Sequence, residues 1–168
     1  FIFVILFIMG FEKVFGSSNT LIGVTIITAA LMLLERDFTL SPLAYLSKIT
    51  LLNLFLGVSA FLTNQNIWLG ILINFIVIFI IGFFLSFNFK SNIYIPFGLQ
   101  YLFMVSTPVA YEQLKLRLFS LFVGSIFIIA INILLNRNRL AKSSNKIIGD
   151  ISFLLLKKIE SKKGFSKY

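Results

Sequence analysis

Nine side chains in or beside the apolar stretches of this chain can do chemistry: Asn19, Lys48, Asn53, Asn74, Asn92, Gln100, Tyr101, Lys115 and Arg117. They are amides, bases and one phenol. Amides orient a polar solute or join two helices, and bases attract anions. An arginine facing a cavity would grip a carboxylate through its fork of N–H groups, which suits an organic anion. Arg117 lies one turn before Leu121 and two turns before Gly124, on the side expected to pack inward. A structural pair with Glu112 or Glu12 is the equal alternative. Lys115 is two residues from Arg117, so the two do not share a helix face.

The missing residue types exclude as much. The chain has no His and no Cys. Structural zinc, thiolate chemistry, histidine acid–base work, and haem or iron–sulfur binding through the usual ligands therefore have no residues here. No Asp or Glu sits deep in an apolar stretch, so a proton relay through a buried carboxylate has no candidate. No nucleophile–base pair is visible either. No catalytic residue, cofactor or metal is expected, and an enzyme is the least expected class.

These residues are set in long apolar runs. Residues 67–87 (IWLGILINFIVIFIIGFFLSF) and 118–135 (LFSLFVGSIFIIAINILL) carry no charge. A bilayer core takes about 20 mostly apolar residues per helix. Across its 168 residues the chain is 58% hydrophobic with 21 Phe, and its mean hydropathy is +0.99. Such a chain would leave a soluble fold with more apolar surface than it could hide. The expectation is one all-α membrane domain over residues 1–137.

Six spans are expected: 1–11, 20–34, 41–62, 66–87, 94–109 and 114–135. The first residue lies inside an apolar run, so the first helix is expected to begin upstream; a signal peptide fits poorly, because a basic leader and a small-residue cleavage site are lacking. Ser17 to Thr20 can lengthen the short second span at its outer end. Pro42 after Ser41 suits a first helical turn. The fifth span holds Pro96, Gly98, Gln100, Tyr101 and Pro108 and reads as the least regular. An irregular helix frees backbone groups and can line a cavity, so Gln100 and Tyr101 are candidates for a substrate path. Five spans remain an alternative if 94–109 is a re-entrant or broken segment. Asn74, mid-span, is expected to join two helices.

Of the net charge of +9, the segment from Arg137 onward supplies +7, from nine Lys/Arg and two acidic residues. This basic tail belongs on the cytoplasmic side of the inner (plasma) membrane and suits anionic lipid head groups. It puts Arg36, Lys48 and Lys90 on the cytoplasmic side and leaves Lys13, Lys115 and Arg117 outside. Residues 138–168 are expected to form a separate amphipathic helix, with Ile147, Ile148, Ile151, Leu154, Leu155 and Ile159 as its apolar stripe. Nucleic acid is not an expected partner, since no recognisable module accompanies the basic residues.

A weak internal repeat is visible. Ser18–Asn19 precedes the second span and Ser91–Asn92 the fifth. In the third and sixth spans a basic residue precedes a glycine by nine positions: Lys48 with Gly57, and Lys115 with Gly124. Asn53 and Ser120 each stand four before the glycine. Three-helix halves would be inverted relative to each other, as in alternating-access transporters. Close helix packing at Gly57, Gly124, Asn53 and Ser120, with Asn74, is the simpler meaning.

The stretch KVFGSSNTLIGVTIITAALMLLERDFT, with PFGLQYLFMVSTPV and LRLFSLFVGSIF, resembles the membrane domain of the fusaric-acid-resistance (FUSC) type family. That family includes aromatic acid exporters and is distantly similar to plant anion channels of the malate type. The resemblance covers about residues 1–140. It implies a six-helix membrane module before a cytoplasmic region, efflux of aromatic carboxylates or similar compounds, and a homodimer. It also implies a basic residue before a glycine in the third and sixth helices, here Lys48 before Gly57 and Lys115 or Arg117 before Gly124. The functional expectation is a transporter exporting small organic anions, aromatic ones included. Its path would be lined by Arg117, Lys115, Lys48, Gln100, Tyr101, Asn19 and Asn92. An anion channel, or a non-transporting membrane scaffold for envelope maintenance, is the alternative.

Overall fold

The computed structural model describes residues 2–35, 38, 41–85 and 94–165, with side chains described except at 35, 84, 137–150 and 153–165. It is all-helical over these residues. The order is α1 (Ile2–Phe15), a 3₁₀ turn (Ser17–Asn19), α2 (Thr20–Met32), a second 3₁₀ turn (Leu33–Glu35), α3 (Pro42–Thr63), α4 (Ile67–Ile80) continued by a π turn (Ile81–Leu85), α5 (Tyr94–Ser106) and α6 (Tyr111–Phe165).

The local sequence sets most of the boundaries. Gly16 has φ +82°, a conformation that glycine adopts without a Cβ clash. It ends α1, with its N–H on the Glu12 carbonyl at 2.8 Å. Pro42 opens α3 at its first turn, where a missing N–H breaks no bond. Asn66 caps α4, its Oδ1 accepting from the Trp68 N–H at 2.9 Å.

Among the described residues two helices, not six, are long and apolar enough by themselves to cross a membrane: Pro42–Thr63 and Tyr111–Asn136. The other four are shorter. α1 and α4 have 14 residues each, and α2 and α5 have 13. The fifth helix also differs from expectation. It is regular α-helix over 94–106, not broken, because Pro96 lies in its first turn, where N–H groups have no intrahelical acceptor, and Pro108 lies beyond its end. A third difference is that no break separates the sixth span from the tail. α6 runs unbroken for 55 residues, since nothing around Arg137 stops a helix. Residues 138–165 are thus a continuation of α6 in backbone terms. The side chains of the expected apolar stripe lie outside the described residues, except Ile151, which is exposed.

The core lies between α2, α3, α5 and α6. Asn53 of α3 meets Ser125 of α6, and Gly57 faces Leu121, so four steps forward on α3 match four steps back on α6. The two helices are antiparallel. α2 and α6 run parallel, because Asn19 sits beside Arg117 at one end and Leu33 beside Asn132 at the other. Between those ends the contact is apolar and close. Ile22, Ile26, Ala29 and Ala30 are buried, and a Cβ on Gly124 would lie 2.8 Å from Ile26 Cγ1. α1 covers α2 through Phe11, against which Gly23 sits without room for a side chain. Phe7 stacks on Phe127 at 4.0 Å between ring centroids and ties α1 to α6.

Candidate functional site

Arg117 is the most unusual side chain in the core. It lies in the second turn of α6, where the chain turns in from the 107–110 connection, and it is 2% exposed. Its Nε donates to Asn19 Oδ1 at 3.1 Å. One terminal nitrogen donates to the carbonyls of Thr107 (2.7 Å) and Met104 (3.3 Å). The other donates to the Ser18 carbonyl (3.0 Å) and Thr107 Oγ1 (3.3 Å). Every one of these acceptors is neutral. The pairing with Glu112 or Glu12 does not form, since both glutamates are exposed. Met104 and Thr107 stand at the C-terminal end of α5, where carbonyls lack helical partners and the dipole is negative, so the guanidinium caps that helix. It also ties the Ser18–Asn19 turn to the same point. Asn19 is held in place by its own Nδ2, which donates to the Phe15 carbonyl at 2.8 Å.

A second polar cluster crosses the centre. Gln100 Nε2 donates to Asn53 Oδ1 at 3.1 Å, Asn53 Nδ2 to Ser125 Oγ at 2.8 Å, and Ser125 Oγ to the Leu121 carbonyl at 2.9 Å. This chain joins α5, α3 and α6, and all three side chains are fully buried. Gln100 Oε1 has no partner. A third cluster surrounds Tyr101, whose OH donates to Asn74 Oδ1 at 2.6 Å and lies 3.1 Å from Thr63 Oγ1. Asn74 joins α4 to α5 in this way. Ser120 is buried too, its Oγ donating to the Arg117 carbonyl at 2.7 Å.

The bases expected beside Arg117 are placed elsewhere. Lys48 and Lys115 are exposed, with Lys48 Nζ 5.8 Å from the Tyr45 ring centroid. Asn92 lies outside the described residues. Of the expected path residues, the structure thus brings Arg117 and Asn19 into direct contact and buries Gln100 and Tyr101 in two separate clusters.

Two residues of this network were missed in the sequence reading: Asn132 and Asn136. Asn132 Nδ2 donates to the Leu33 carbonyl at 2.7 Å, and its Oδ1 accepts from the Phe38 N–H at 3.3 Å. Asn136 Nδ2 reaches the Leu34 carbonyl at 3.3 Å and Asn132 Oδ1 at 3.2 Å. They cap the C-terminal end of α2 as Arg117 caps that of α5. Their spacing of four on one helix face was the available signal.

Compared with known proteins, the chain matches no family model, no curated protein and no solved structure.

Proposed function

We propose that this chain is the membrane-embedded bundle of a multi-pass inner-membrane protein and that it moves small organic anions, aromatic carboxylates foremost. The observation that carries the reading is Arg117. It is a buried cation whose acceptors are all neutral oxygens, so the bundle interior carries a positive charge that no carboxylate among the described side chains cancels. Burying a cation with no counter-charge is costly, and buried groups of perturbed charge cluster at functional sites. Because its donors are committed to the protein, Arg117 acts here through its field rather than by gripping the anion. A positive potential in a low-dielectric wall raises the local concentration of anions.

Multi-pass insertion is supported by length and by the placing of polar groups. α2 with its two 3₁₀ turns runs about 31 Å at the usual rises per residue, close to a hydrocarbon core of about 30 Å. Its polar fastenings, at Asn19 and at the Leu33 and Leu34 carbonyls, stand at its two ends, with apolar contact between. The outer face of α4 presents Trp68, Leu72, Phe75 and Phe79, each more than half exposed, which lipid tolerates and water does not. The halves α1–α3 and α4–α6 read as an inverted repeat. α3 lies antiparallel on α6, and α2 packs on α6 as α5 packs on α3. The basic end of α6 faces the cytoplasm in this reading, and a homodimer follows from the family resemblance.

Protein reconstituted in proteoliposomes tests the proposal. Benzoate should move with saturable kinetics, and benzamide, its neutral analogue, should move no faster than in empty vesicles. Current that is linear in benzoate concentration and voltage would make the chain a channel. A scaffold is the second reading. It is favoured by the commitment of Arg117, Gln100 and Tyr101 to packed neighbours, and absence of flux for either solute would select it.

A further inference from the structure

We propose that the Gln100 carboxamide holds a buried water molecule at the centre of the bundle, which donates a hydrogen bond to Oε1. Among the described residues, three buried side-chain oxygens have no hydrogen-bond partner: Thr20 Oγ1, Thr50 Oγ1 and Gln100 Oε1. Two of the three flank one residue. Gln100 bonds Asn53 directly, and Thr50 stands one turn before Asn53 on α3. Gln100 has no solvent exposure at all. A carboxamide oxygen offers two lone pairs, and burying it dry forfeits its full solvation.

Turning the amide over does not give both of its polar atoms a protein partner. With Oε1 toward Asn53, two carbonyl oxygens would face each other, so Asn53 would have to turn as well. Its Nδ2 would then leave Ser125 Oγ, and Gln100 Nε2 would become the group without a partner. Either setting leaves one polar atom of Gln100 in need of a guest.

The chemistry of the place selects the guest. With the amide set as observed, a group that bonds Oε1 must donate, which excludes a free anion. A cation is disfavoured, because Arg117 bonds the carbonyl of Met104, one turn after Gln100 on α5. A neutral donor small enough for a packed core is water, and buried waters need two or more polar partners. We assign the second bond to Thr50 Oγ1, which also lacks a partner and stands one turn from Asn53 on α3. The proposal does not depend on transport: a scaffold would hold the same water.

X-ray radiolytic labelling of the intact protein in lipid nanodiscs, in ¹⁸O-water with peptide mass spectrometry, reads this out. Hydroxyl radicals formed from a bound water label the side chains beside it. Phe97 and Tyr101 stand beside Gln100 on α5 and are buried more deeply than Phe11 and Phe15 on α1. The expected result is ¹⁸O entering Phe97 or Tyr101 several-fold faster than Phe11 or Phe15, with Gln100→Leu lowering that rate to theirs. Equal, slow labelling of all four in the native protein would overturn the proposal without recourse to any variant. Fast labelling that Gln100→Leu leaves unchanged would also overturn it.

Discussion

Asn53 and Ser125 stand 72 residues apart in the chain, and their side chains meet at 2.8 Å across α3 and α6. Gln100 completes the bond from a third helix, at 3.1 Å. Apolar packing between these helices is non-directional, and in lipid it has little hydrophobic drive. Such a polar crossing therefore fixes which rotation of each helix is native. Asn53→Leu should lower stability by about 1 to 2 kcal/mol, since it leaves Gln100 Nε2 and Ser125 without their shared partner. Ser125→Ala should cost less, and the double variant less than the sum of the two. Thermal unfolding in nanodiscs, arranged as a double-mutant cycle, checks this.

Arg117 should be the most sensitive position. Arg117→Ala leaves the Met104, Thr107 and Ser18 carbonyls without a donor and should destabilise by about 3 kcal/mol or more. Arg117→Lys should recover only part of this. An ammonium has three donors at one point and cannot reach both the α5 end and the Ser18–Asn19 turn as a planar fork does. Melting temperatures of the three proteins at matched lipid composition give the order.

Two glycines should separate cleanly from a third. A Cβ on Gly70 would fall 2.6 Å from the Thr63 carbonyl oxygen, which is backbone and cannot yield. A Cβ on Gly57 would fall 2.6 Å from Leu121 Cδ1, which can turn aside. Gly10 has nothing within 4 Å. Gly70→Ala should therefore cost about 1 to 3 kcal/mol, Gly57→Ala less, and Gly10→Ala should be neutral or slightly stabilising. Folded yield and melting temperature measure the three together.

Much of this arrangement was legible in the sequence, and the limits of that reading have physical causes. Helix positions followed from apolar runs and their punctuation. Ser41–Pro42 opens α3 by the local backbone chemistry expected of that pair. Asn74 joins two helices as its mid-span position suggested. The fifth helix was misread because Pro96 and Pro108 count as breakers in a sequence, whereas here one lies in the first turn and the other past the last. The partner of Arg117 was misread for a different reason. Charge pairing is easy to imagine from sequence, but unpaired carbonyls at a distant helix end are backbone groups, and no residue type announces them. Asn132 and Asn136 escaped for the same reason, since their acceptors are also main-chain atoms.

Asn132 should matter more than its polar type in an apolar helix suggests. Asn132→Leu removes the donor to Leu33 and the acceptor for Phe38 and Asn136 together. The C-terminal end of α2 should loosen, with faster amide exchange at residues 33–35 and a stability loss of about 1 to 2 kcal/mol. Hydrogen exchange read by mass spectrometry distinguishes this local opening from global unfolding.

The charge at Arg117 is the centre of the functional account, and the measurement that isolates it is benzoate efflux from proteoliposomes containing Arg117→Lys or Arg117→Gln, normalised to folded protein. Lysine keeps the positive charge and loses the fork; glutamine keeps hydrogen bonding and loses the charge. The account predicts that Arg117→Lys retains saturable benzoate flux while Arg117→Gln drops toward the level of empty vesicles. Equal flux in the two variants, or none in the native protein, would contradict it.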